Sequence, residues 1–302
     1  MKQELLEING LKLSLWTWGN PKSPPLFFIH GFADSGKNFQ WVAENLKNQY
    51  FCIAPDLRGH GHSEKGKSPL GYFFYEYIAD IHQIFDHYSP NEPVLAIGHS
   101  MGGNIVSLYG GACPDRVKAF INIEGLGIRD RSRESAPKVF SNWLHGKANH
   151  FKEEYSSISE FAEKMKKRNP YTPLERCHSI AENLLVEKKK DQFVLMVDPL
   201  HFLPNPYIYR FENVAPFFRA HKGSILFIES EHTNMDSWMT PLDLDPKDKV
   251  DFRIKETERR LSFYPKHQKI IIKNCGHMIH YDLPVELSHE IENFFKANED
   301  HL

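Results

Sequence analysis

The stretch Gly98-His99-Ser100-Met101-Gly102-Gly103 decides the fold, because it places a serine between glycines where a strand turns into a helix. Apolar residues 94–97 precede it and predict a buried strand, whereas residues 105–111 continue as a helix. A side chain at either flanking glycine would collide in so tight a turn. The serine then projects above the edge of a sheet, at the N-terminus of a helix whose dipole favours negative charge. We therefore interpret Ser100 as an exposed nucleophile.

Short apolar runs alternate with helical segments along the chain, and this order predicts a largely parallel sheet. The predicted strands cover residues 26–29, 50–54, 94–97, 119–123, 224–228 and 269–272, and the predicted helices cover residues 39–46, 72–88, 105–111 and 284–296. Asn9-Gly10 separates two further runs, residues 5–8 and 11–16, and indicates a tight hairpin turn. We expect these first two strands to form an antiparallel edge.

Residues 127–222 differ in character, because they are charged, helical in pattern and rich in aromatic residues. The alternating pattern resumes after them. We therefore predict one α/β core domain, residues 1–126 and 223–302, which is interrupted by a helical cap insertion, residues 127–222. Two basic runs in the insertion, residues 164–168 and 188–190, are interpreted as solvated helix faces.

Charge and composition exclude several classes of protein. The 302 residues include 37 Lys and Arg against 39 Asp and Glu, a net charge of −2, which argues against a protein that coats nucleic acid or an anionic membrane. Four scattered cysteines without a Cys-x-x-Cys pair argue against a disulfide framework or a zinc site and fit a reducing compartment. The acidic start, and apolar runs far shorter than the ~18 residues of a membrane span, predict a cytoplasmic protein with no membrane span.

A serine hydroxyl is a poor nucleophile until a base accepts its proton. The base should lie on a loop after a late strand, level with the serine, and among the 17 histidines His277 fits this position best. It follows the apolar run 270–272 in Asn274-Cys275-Gly276-His277, and a helix starts soon after at Pro284. Packing roles are predicted for four other histidines close to the motifs, His60, His62, His99 and His280.

The negative oxygen that develops during acyl transfer needs two preorganised N–H donors. We expect one from the backbone of Met101, the residue after the nucleophile. His30-Gly31-Phe32 follows the buried run 26–29, so the backbone N–H of Phe32 is the second predicted donor of this oxyanion hole. Gly31 allows the backbone to approach closely.

These motifs, in this order, resemble the α/β-hydrolase superfamily. The matching segments are His30-Gly31-Phe32, Asp56-Leu57-Arg58-Gly59-His60-Gly61, Gly98-His99-Ser100-Met101-Gly102-Gly103, and Gly276-His277 before Asp282-Leu283-Pro284. They span nearly the whole chain outside the insertion. The resemblance implies a mostly parallel eight-stranded sheet and a helical cap.

The third member of the family's catalytic triad is out of its usual place. It normally follows the strand here predicted at residues 225–228, as an aspartate after a glycine, but no Gly-x-x-Asp stands there. Glu124 instead ends the preceding core strand, and some haloalkane dehalogenases and lipases of the superfamily look similar. We predict Glu124 as the acid that fixes the histidine tautomer and stabilises the imidazolium, with Glu231 and Asp236 as alternatives.

The nucleophile limits the chemistry. Dehalogenases and epoxide hydrolases of this superfamily form an alkyl ester on a carboxylate, so a serine with an oxyanion hole favours acyl transfer to water. We predict a serine hydrolase of carboxylesterase or lipase type, which cleaves a carboxylic ester through an acyl-enzyme on Ser100 without a cofactor or metal. One alternative is the same triad acting on a thioester, lactone, amide or C–C bond, and another is a non-catalytic ligand-binding protein. A dinucleotide-binding domain is rejected, because no G-x-G-x-x-G follows the first buried run.

The insertion is expected to roof the pocket, and its aromatic and apolar residues favour a largely apolar small-molecule ester. The candidates are Trp143, Leu144, Phe202, Tyr207 and Tyr209, with Phe32 and Met278 from the core loops. Arg129, Arg131 and Arg133 could meet an acidic substrate, although a solvated cap entrance is the preferred interpretation. No nucleic-acid partner is expected.

Overall fold

The apolar runs of the sequence form strands of a central sheet. A computed structural model describes residues 1–146 and 154–298 of the chain. Its strands are β1 (Lys2–Ile8), β2 (Leu11–Trp18), β3 (Pro25–Ile29), β4 (Phe51–Pro55), β5 (Val94–His99), β6 (Val117–Ile123), β7 (Glu154–Tyr155), β8 (Leu185–Lys189), β9 (Gln192–Leu195), β10 (Ser224–His232) and β11 (His267–Gly276). Its α-helices are α1 (Gln40–Leu46), α2 (Phe74–Tyr88), α3 (Met101–Ala112), α4 (Ala136–His145), α5 (Ile158–Arg168), α6 (Leu174–Leu184), α7 (Phe211–Ala220), α8 (Met235–Met239), α9 (Lys249–Leu261), α10 (Ile279–Asp282) and α11 (Pro284–Ala297). Within the two described ranges, no helix combines the length and the apolar character that crossing a bilayer requires.

Eight strands form one sheet in the order β1-β2-β4-β3-β5-β6-β10-β11. β2 runs antiparallel to both of its neighbours, and the other adjacent pairs are parallel. Asn9 and Gly10 both have positive φ, 49° and 72°, as a two-residue turn between antiparallel strands requires. The predicted α/β class, the mostly parallel eight-stranded sheet and its antiparallel edge are confirmed.

Helices cover both faces of the sheet, which explains why the central strands have continuous apolar sequences. Phe27 and Phe28 are neighbours in β3, yet they belong to separate clusters of buried side chains. Phe27 shares its cluster with Ile105 of α3, and Phe28 shares the other with Val42 of α1. With both faces occupied, the open positions lie at the carboxyl ends of the strands, where the loops after β3, β5, β6 and β11 border one cavity.

The insertion between β6 and β10 is helical only in part. It contains α4, α5, α6 and α7, but β7, β9 and β8 form a separate three-stranded antiparallel sheet. The prediction that residues 188–190 lie on a helix is wrong, because Lys188 and Lys189 belong to β8 and the chain turns at Asp191, whose φ is 59°. An aspartate tolerates this left-handed conformation, so a hairpin forms there. The other basic run, residues 164–168, does lie on α5.

The insertion packs directly on the rest of the chain. Phe161 of α5 and Ile180 of α6 share a buried cluster with Tyr281 of α10. The chain division into a core, residues 1–126 and 223–302, and a cap, residues 127–222, stays a prediction.

A helix that the sequence pattern did not identify, α9, holds the start of the insertion. It contains few apolar residues, but its Arg260 is only 1% exposed. The guanidinium donates to the carbonyl oxygens of Leu126 and Ile128, both at 3.0 Å, and to Glu256 at 2.6 Å. These bonds fix the chain just beyond the end of β6.

Gly102 has no room for a side chain, because a Cβ atom there would lie 2.0 Å from the carbonyl oxygen of Ile29 in β3. We expect Gly102→Ala to lower the free energy of unfolding by about 3 kcal/mol, as overpacking of a tight interior does. Urea denaturation followed by circular dichroism measures this change. Gly276→Ala is the matched control, since its Cβ would meet its nearest atom, on Tyr171, at an ordinary 3.5 Å. Equal midpoints for the two variants would contradict the tight packing of this turn.

Candidate active site

Ser100 occupies the sharp turn between β5 and α3. Its φ and ψ are 51° and −112°, a conformation that side-chain-bearing residues rarely adopt. Its backbone N–H donates to the carbonyl oxygen of Ile123 at 2.8 Å, which fastens the turn to the end of β6. A Cβ at Gly98 would lie 2.5 Å from the backbone of Gly102, so the turn can close only with glycine there. Such a turn holds the serine side chain at the sheet edge.

His277 lies on the loop after β11, and its Nδ1 is 2.8 Å from Oε2 of Glu124. Because a carboxylate accepts, Nδ1 of the neutral ring donates the proton and Nε2 retains a lone pair. Trp238 packs against the imidazole in an edge-to-face arrangement, with ring centroids 4.9 Å apart. Ser100, Glu124 and His277 all line the same cavity.

Glu124 follows the last residue of β6 and is 1% exposed. Its φ of 55° turns the chain sharply at this point. Oε1 accepts from the backbone N–H of Ser230 at 2.7 Å and from its hydroxyl at 3.0 Å. Oε2 accepts from the hydroxyl of Thr233 at 2.8 Å as well as from His277. Both carboxylate oxygens are therefore satisfied inside the protein.

The two alternative acids do not contact His277. Glu231 accepts from the backbone N–H of Asn274 at 2.8 Å, with its carboxylate near the protein surface. Asp236 accepts from Nε of Arg253 at 2.7 Å, and its pKa is raised above the ordinary value chiefly by burial. Of the three candidate acids, Glu124 is the one that the structure brings to the imidazole.

The loop that carries the predicted oxyanion donor packs tightly against the turn at Ser100. A Cβ at Gly31 would lie 2.9 Å from Nδ1 of His99 and 3.2 Å from Cβ of Ser100. His30 braces this loop, since its Nε2 accepts from the backbone N–H of Leu57 at 2.9 Å and its Nδ1 donates to the carbonyl oxygen of Gly31 at 2.7 Å. Both residues predicted as oxyanion donors, Phe32 and Met101, line the cavity with Ser100.

A buried polar cluster supports the site from below. Asp34, His99 and His280 offer ligand atoms within 4.8 Å of one another, and they form the group of possible metal ligands found among the described residues. Asp34 already accepts from Tyr281 Oη at 2.5 Å and from Asn38 Nδ2 at 2.7 Å. Burial raises the pKa of Asp34, but the hydrogen bond and charge of His280 outweigh it and hold this pKa well below its usual range. We therefore interpret the cluster as a hydrogen-bonded support.

The cavity above these residues has a volume of about 840 Å³ and is lined largely by apolar side chains. Of the residues proposed to face a ligand, Phe32, Tyr207, Tyr209 and Met278 line it, whereas Trp143, Leu144 and Phe202 are not among its lining residues. Trp238, Ser230, Thr233 and Asp34 were not predicted as site residues from the sequence. Ser230 precedes Glu231, and Thr233 lies between Glu231 and Asp236, so their hydroxyls were the available signal for a nearby carboxylate.

A model of the alpha/beta hydrolase fold family matches residues 24–284. The chain belongs to this family. The match covers most of the chain and includes the insertion, so the family resemblance inferred from the motifs is confirmed.

The curated relatives of this alpha/beta hydrolase include serine hydrolase-like proteins. A serine hydrolase-like protein of Danio rerio is 27% identical over 163 residues, which are 51% of this chain and 49% of that protein. The matches to the first curated relatives span about half of those proteins or less. A thioesterase domain from the curacin biosynthetic pathway aligns with 97% of this chain and 99% of its own, with a TM-score of 0.78 and 18% identity. A hypothetical protein from Pseudomonas aeruginosa PAO1 aligns with 98% of this chain and 99% of its own, with a TM-score of 0.81 and 20% identity. At such identities the structural likeness bears on the fold alone.

Four buried histidines and the partly buried His201 are expected to make the stability of this hydrolase sensitive to acid. Burial lowers the pKa of each of them, to about 4 for His201 and His221 and in the same direction for His30, His60 and His99. In the unfolded chain they bind protons near pH 6.5. Their contribution to stability is therefore present above about pH 6.5 and is lost as the pH falls toward about 4, by up to ~1.4 kcal/mol per pH unit for each histidine.

Urea denaturation at pH 7.5, 6.5 and 5.5 measures this dependence. His221→Gln is the informative variant, because glutamine does not titrate and its amide can replace the 2.7 Å bond from Nε2 to the carbonyl oxygen of Ser107. We expect this variant to reduce the slope of the unfolding free energy against pH by the equivalent of up to one bound proton. His289→Gln, at an exposed position on α11, should leave the slope near that of the wild type. Equal slopes for the His221 variant and the wild type would contradict the effect of burial.

Proposed function

We propose that this protein is a serine hydrolase of carboxylesterase type that cleaves a small-molecule carboxylic ester through an acyl-enzyme on Ser100. The observation that carries the proposal is the 2.8 Å contact between His277 Nδ1 and the buried Glu124, beside a serine in a strand-to-helix turn. This contact fixes the orientation of the imidazole and leaves a lone pair on Nε2. His277 and Ser100 line the same cavity. Nucleophile, base and acid are the three groups that acyl transfer of this kind requires.

The reaction would proceed in two halves. Nε2 of His277 accepts the hydroxyl proton as Ser100 Oγ attacks the ester carbonyl carbon, and the negative oxygen is held by the backbone N–H groups of Phe32 and Met101. The C–O bond to the alcohol then breaks, and the imidazolium returns the proton to the departing alkoxide. Water repeats the sequence on the acyl-enzyme and releases the acid. Glu124 stabilises the imidazolium and keeps its proton on Nδ1.

The insertion takes part in this proposal as the roof of the pocket. We propose residues 127–222 as a cap on the core of residues 1–126 and 223–302, since Val139 and Tyr207 of this segment line the cavity that Ser100 lines. The largely apolar lining favours an ester whose acyl or alcohol part is apolar. The four free cysteines fit a reducing compartment, and on that basis we propose a cytoplasmic location.

We expect wild-type protein to hydrolyse p-nitrophenyl esters and Ser100→Ala to lose this activity, because the variant lacks the attacking oxygen. Initial rates across a series from acetate to decanoate measure both the loss and the chain length that the cavity prefers. His277→Ala should be similarly inactive. Mass spectrometry after treatment with a fluorophosphonate gives a second readout, since an adduct at Ser100 reports an activated hydroxyl. Full activity in Ser100→Ala would refute the proposal, and a folded wild type that neither turns over esters nor forms the adduct would favour the ligand-binding alternative.

Glu124→Gln is expected to reduce kcat about a thousandfold or more, because a neutral amide neither fixes the tautomer nor stabilises the imidazolium. Asp236→Asn should change kcat less than tenfold, since this side chain pairs with Arg253 instead. Glu231→Gln, at the surface, serves as a second control. Steady-state kinetics on the best ester of the series rank the three variants. A larger loss for Asp236→Asn or Glu231→Gln than for Glu124→Gln would move the acid to the later loop.

A further inference from the structure

The charged residues in the cavity wall are not equally neutralised. Glu124 is bonded to His277, Ser230 and Thr233, and Asp34 is bonded within its buried cluster. Arg131 also lines the cavity, and its side chain is exposed. Its guanidinium makes no hydrogen bond or ion pair with any described residue, so it is the uncompensated charge among the described lining residues.

The neighbouring arginines are bound, which makes Arg131 different from them. Arg129 donates to backbone carbonyl oxygens at Ser237 and Thr240. Arg133, two residues after Arg131, forms an ion pair with Glu212 at 2.6 Å. Arginine often forms such ion pairs in proteins. Arg131 forms none with the described residues, so the five N–H donors of its guanidinium are available to a ligand.

Nearby acids are already engaged, and the backbone of Arg131 is fixed. Glu212 also pairs with Arg210 at 3.3 Å, and Asp130 accepts from the backbone N–H of Phe211 at 2.5 Å. The N–H of Arg131 donates to the carbonyl oxygen of Tyr209 at 3.1 Å, and its own carbonyl oxygen accepts from Arg210 at 2.8 Å. The backbone is therefore held at the cavity wall while the side chain remains available.

Arg131 places a positive charge in the wall of a largely apolar cavity. Ile128, Val139 and Ile208 line the same cavity and would bury an apolar body. Apolar ligand atoms placed against the exposed guanidinium would displace part of its water without replacing those hydrogen bonds, which is unfavourable. A ligand that carries an anion at this position would replace that water with charge-assisted bonds.

We propose that Arg131 binds an anionic group of the substrate, so that the physiological ester combines an apolar body with a carboxylate or another anion. This inference rests on the proposed function and adds the chemical class of its substrate. Arg131 is thereby a specificity-determining residue that acts at a distance from the reacting carbonyl, and its effect belongs mainly in KM.

The test compares two esters of equal chain length, p-nitrophenyl octanoate and the mono-p-nitrophenyl ester of octanedioic acid. We expect Arg131→Ala to lower the ratio of kcat/KM for the anionic ester over the neutral one by roughly tenfold, as the loss of a partly exposed charge-assisted pair does. Arg131→Lys should restore part of the ratio, because it keeps the charge. Arg133→Ala is the matched control and should leave the ratio unchanged. Rising salt should reduce the wild-type ratio and not that of Arg131→Ala.

A second pair of substrates locates the anion. The octanoate ester of 4-hydroxybenzoic acid carries its charge on the leaving group, whereas phenyl octanoate carries no charge. Dependence on Arg131 in this pair assigns the anion to the alcohol side, and dependence in the first pair assigns it to the acyl side. Ratios that are unchanged by Arg131→Ala in both pairs would overturn the inference while hydrolysis of the neutral esters upholds the proposed function.

Binding measurements on an inactive variant test the anion site independently of catalysis. Calorimetric titration of Ser100→Ala protein with monomethyl octanedioate, which carries one carboxylate, and with the neutral dimethyl octanedioate measures affinity without turnover. Ser100→Ala combined with Arg131→Ala gives the comparison. Tighter binding of the anionic ester that depends on Arg131 supports the anion site even if no ester is hydrolysed, in which case only the proposed function fails. Equal affinities of the two esters, with or without Arg131, would overturn the anion site.

Discussion

The carboxylate of Glu124 is the group on which the rest of the site depends. It is buried, and a buried carboxylate is tolerated only when its oxygens are hydrogen-bonded. Its partners are Ser230 in β10, Thr233 just beyond it, and His277 after β11. One side chain at the end of β6 therefore fixes the relative positions of two further strand ends. The position of the imidazole beside Ser100 follows from this arrangement.

Two acids in and after β10, Glu229 and Asp236, form ion pairs with cations. Glu229 pairs with Lys269 at 2.6 Å and with the nearly buried Arg253, which also binds Asp236 at 2.7 Å. Burial lowers the pKa of both cations, so the acids around them compensate charges that would otherwise be unstable inside the protein. Because those carboxylates are paired with cations, Ser230 of β10 and Thr233 just beyond it contribute hydroxyl donors to the site, and the carboxylate comes from Glu124 just beyond β6.

Features that depend on a few neighbouring residues could be predicted from the sequence, and they include much of the fold. Features that depend on contacts between distant residues could not be predicted in this way. The hairpin at Asn9-Gly10 and the glycine-flanked Ser100 require particular backbone angles, and those requirements are visible in a few neighbouring residues. The helix α9 was missed because it has few apolar residues and its Arg260 binds the carbonyl oxygens of Leu126 and Ile128, which lie more than one hundred residues earlier. Glu124 was predicted as the acid, but the sequence could not exclude Asp236 for a related reason: the choice depends on which strand ends are adjacent and on which acid already faces an arginine.

His99, between the first glycine and the serine of the turn, shows how the nucleophile and the base are coupled. Its Nε2 is 2.9 Å from the carbonyl oxygen of His277, which can only accept, so Nε2 carries the proton and Nδ1 does not. Burial, together with the neighbouring His280 and His277, holds the pKa of His99 well below its usual value, and the ring stays neutral. Nδ1 faces the position where Gly31 lacks a side chain, 2.9 Å from where a Cβ would stand. A neutral ring at this point thus ties β5 to the loop of His277 and also sets how closely the loop of Phe32 approaches Ser100.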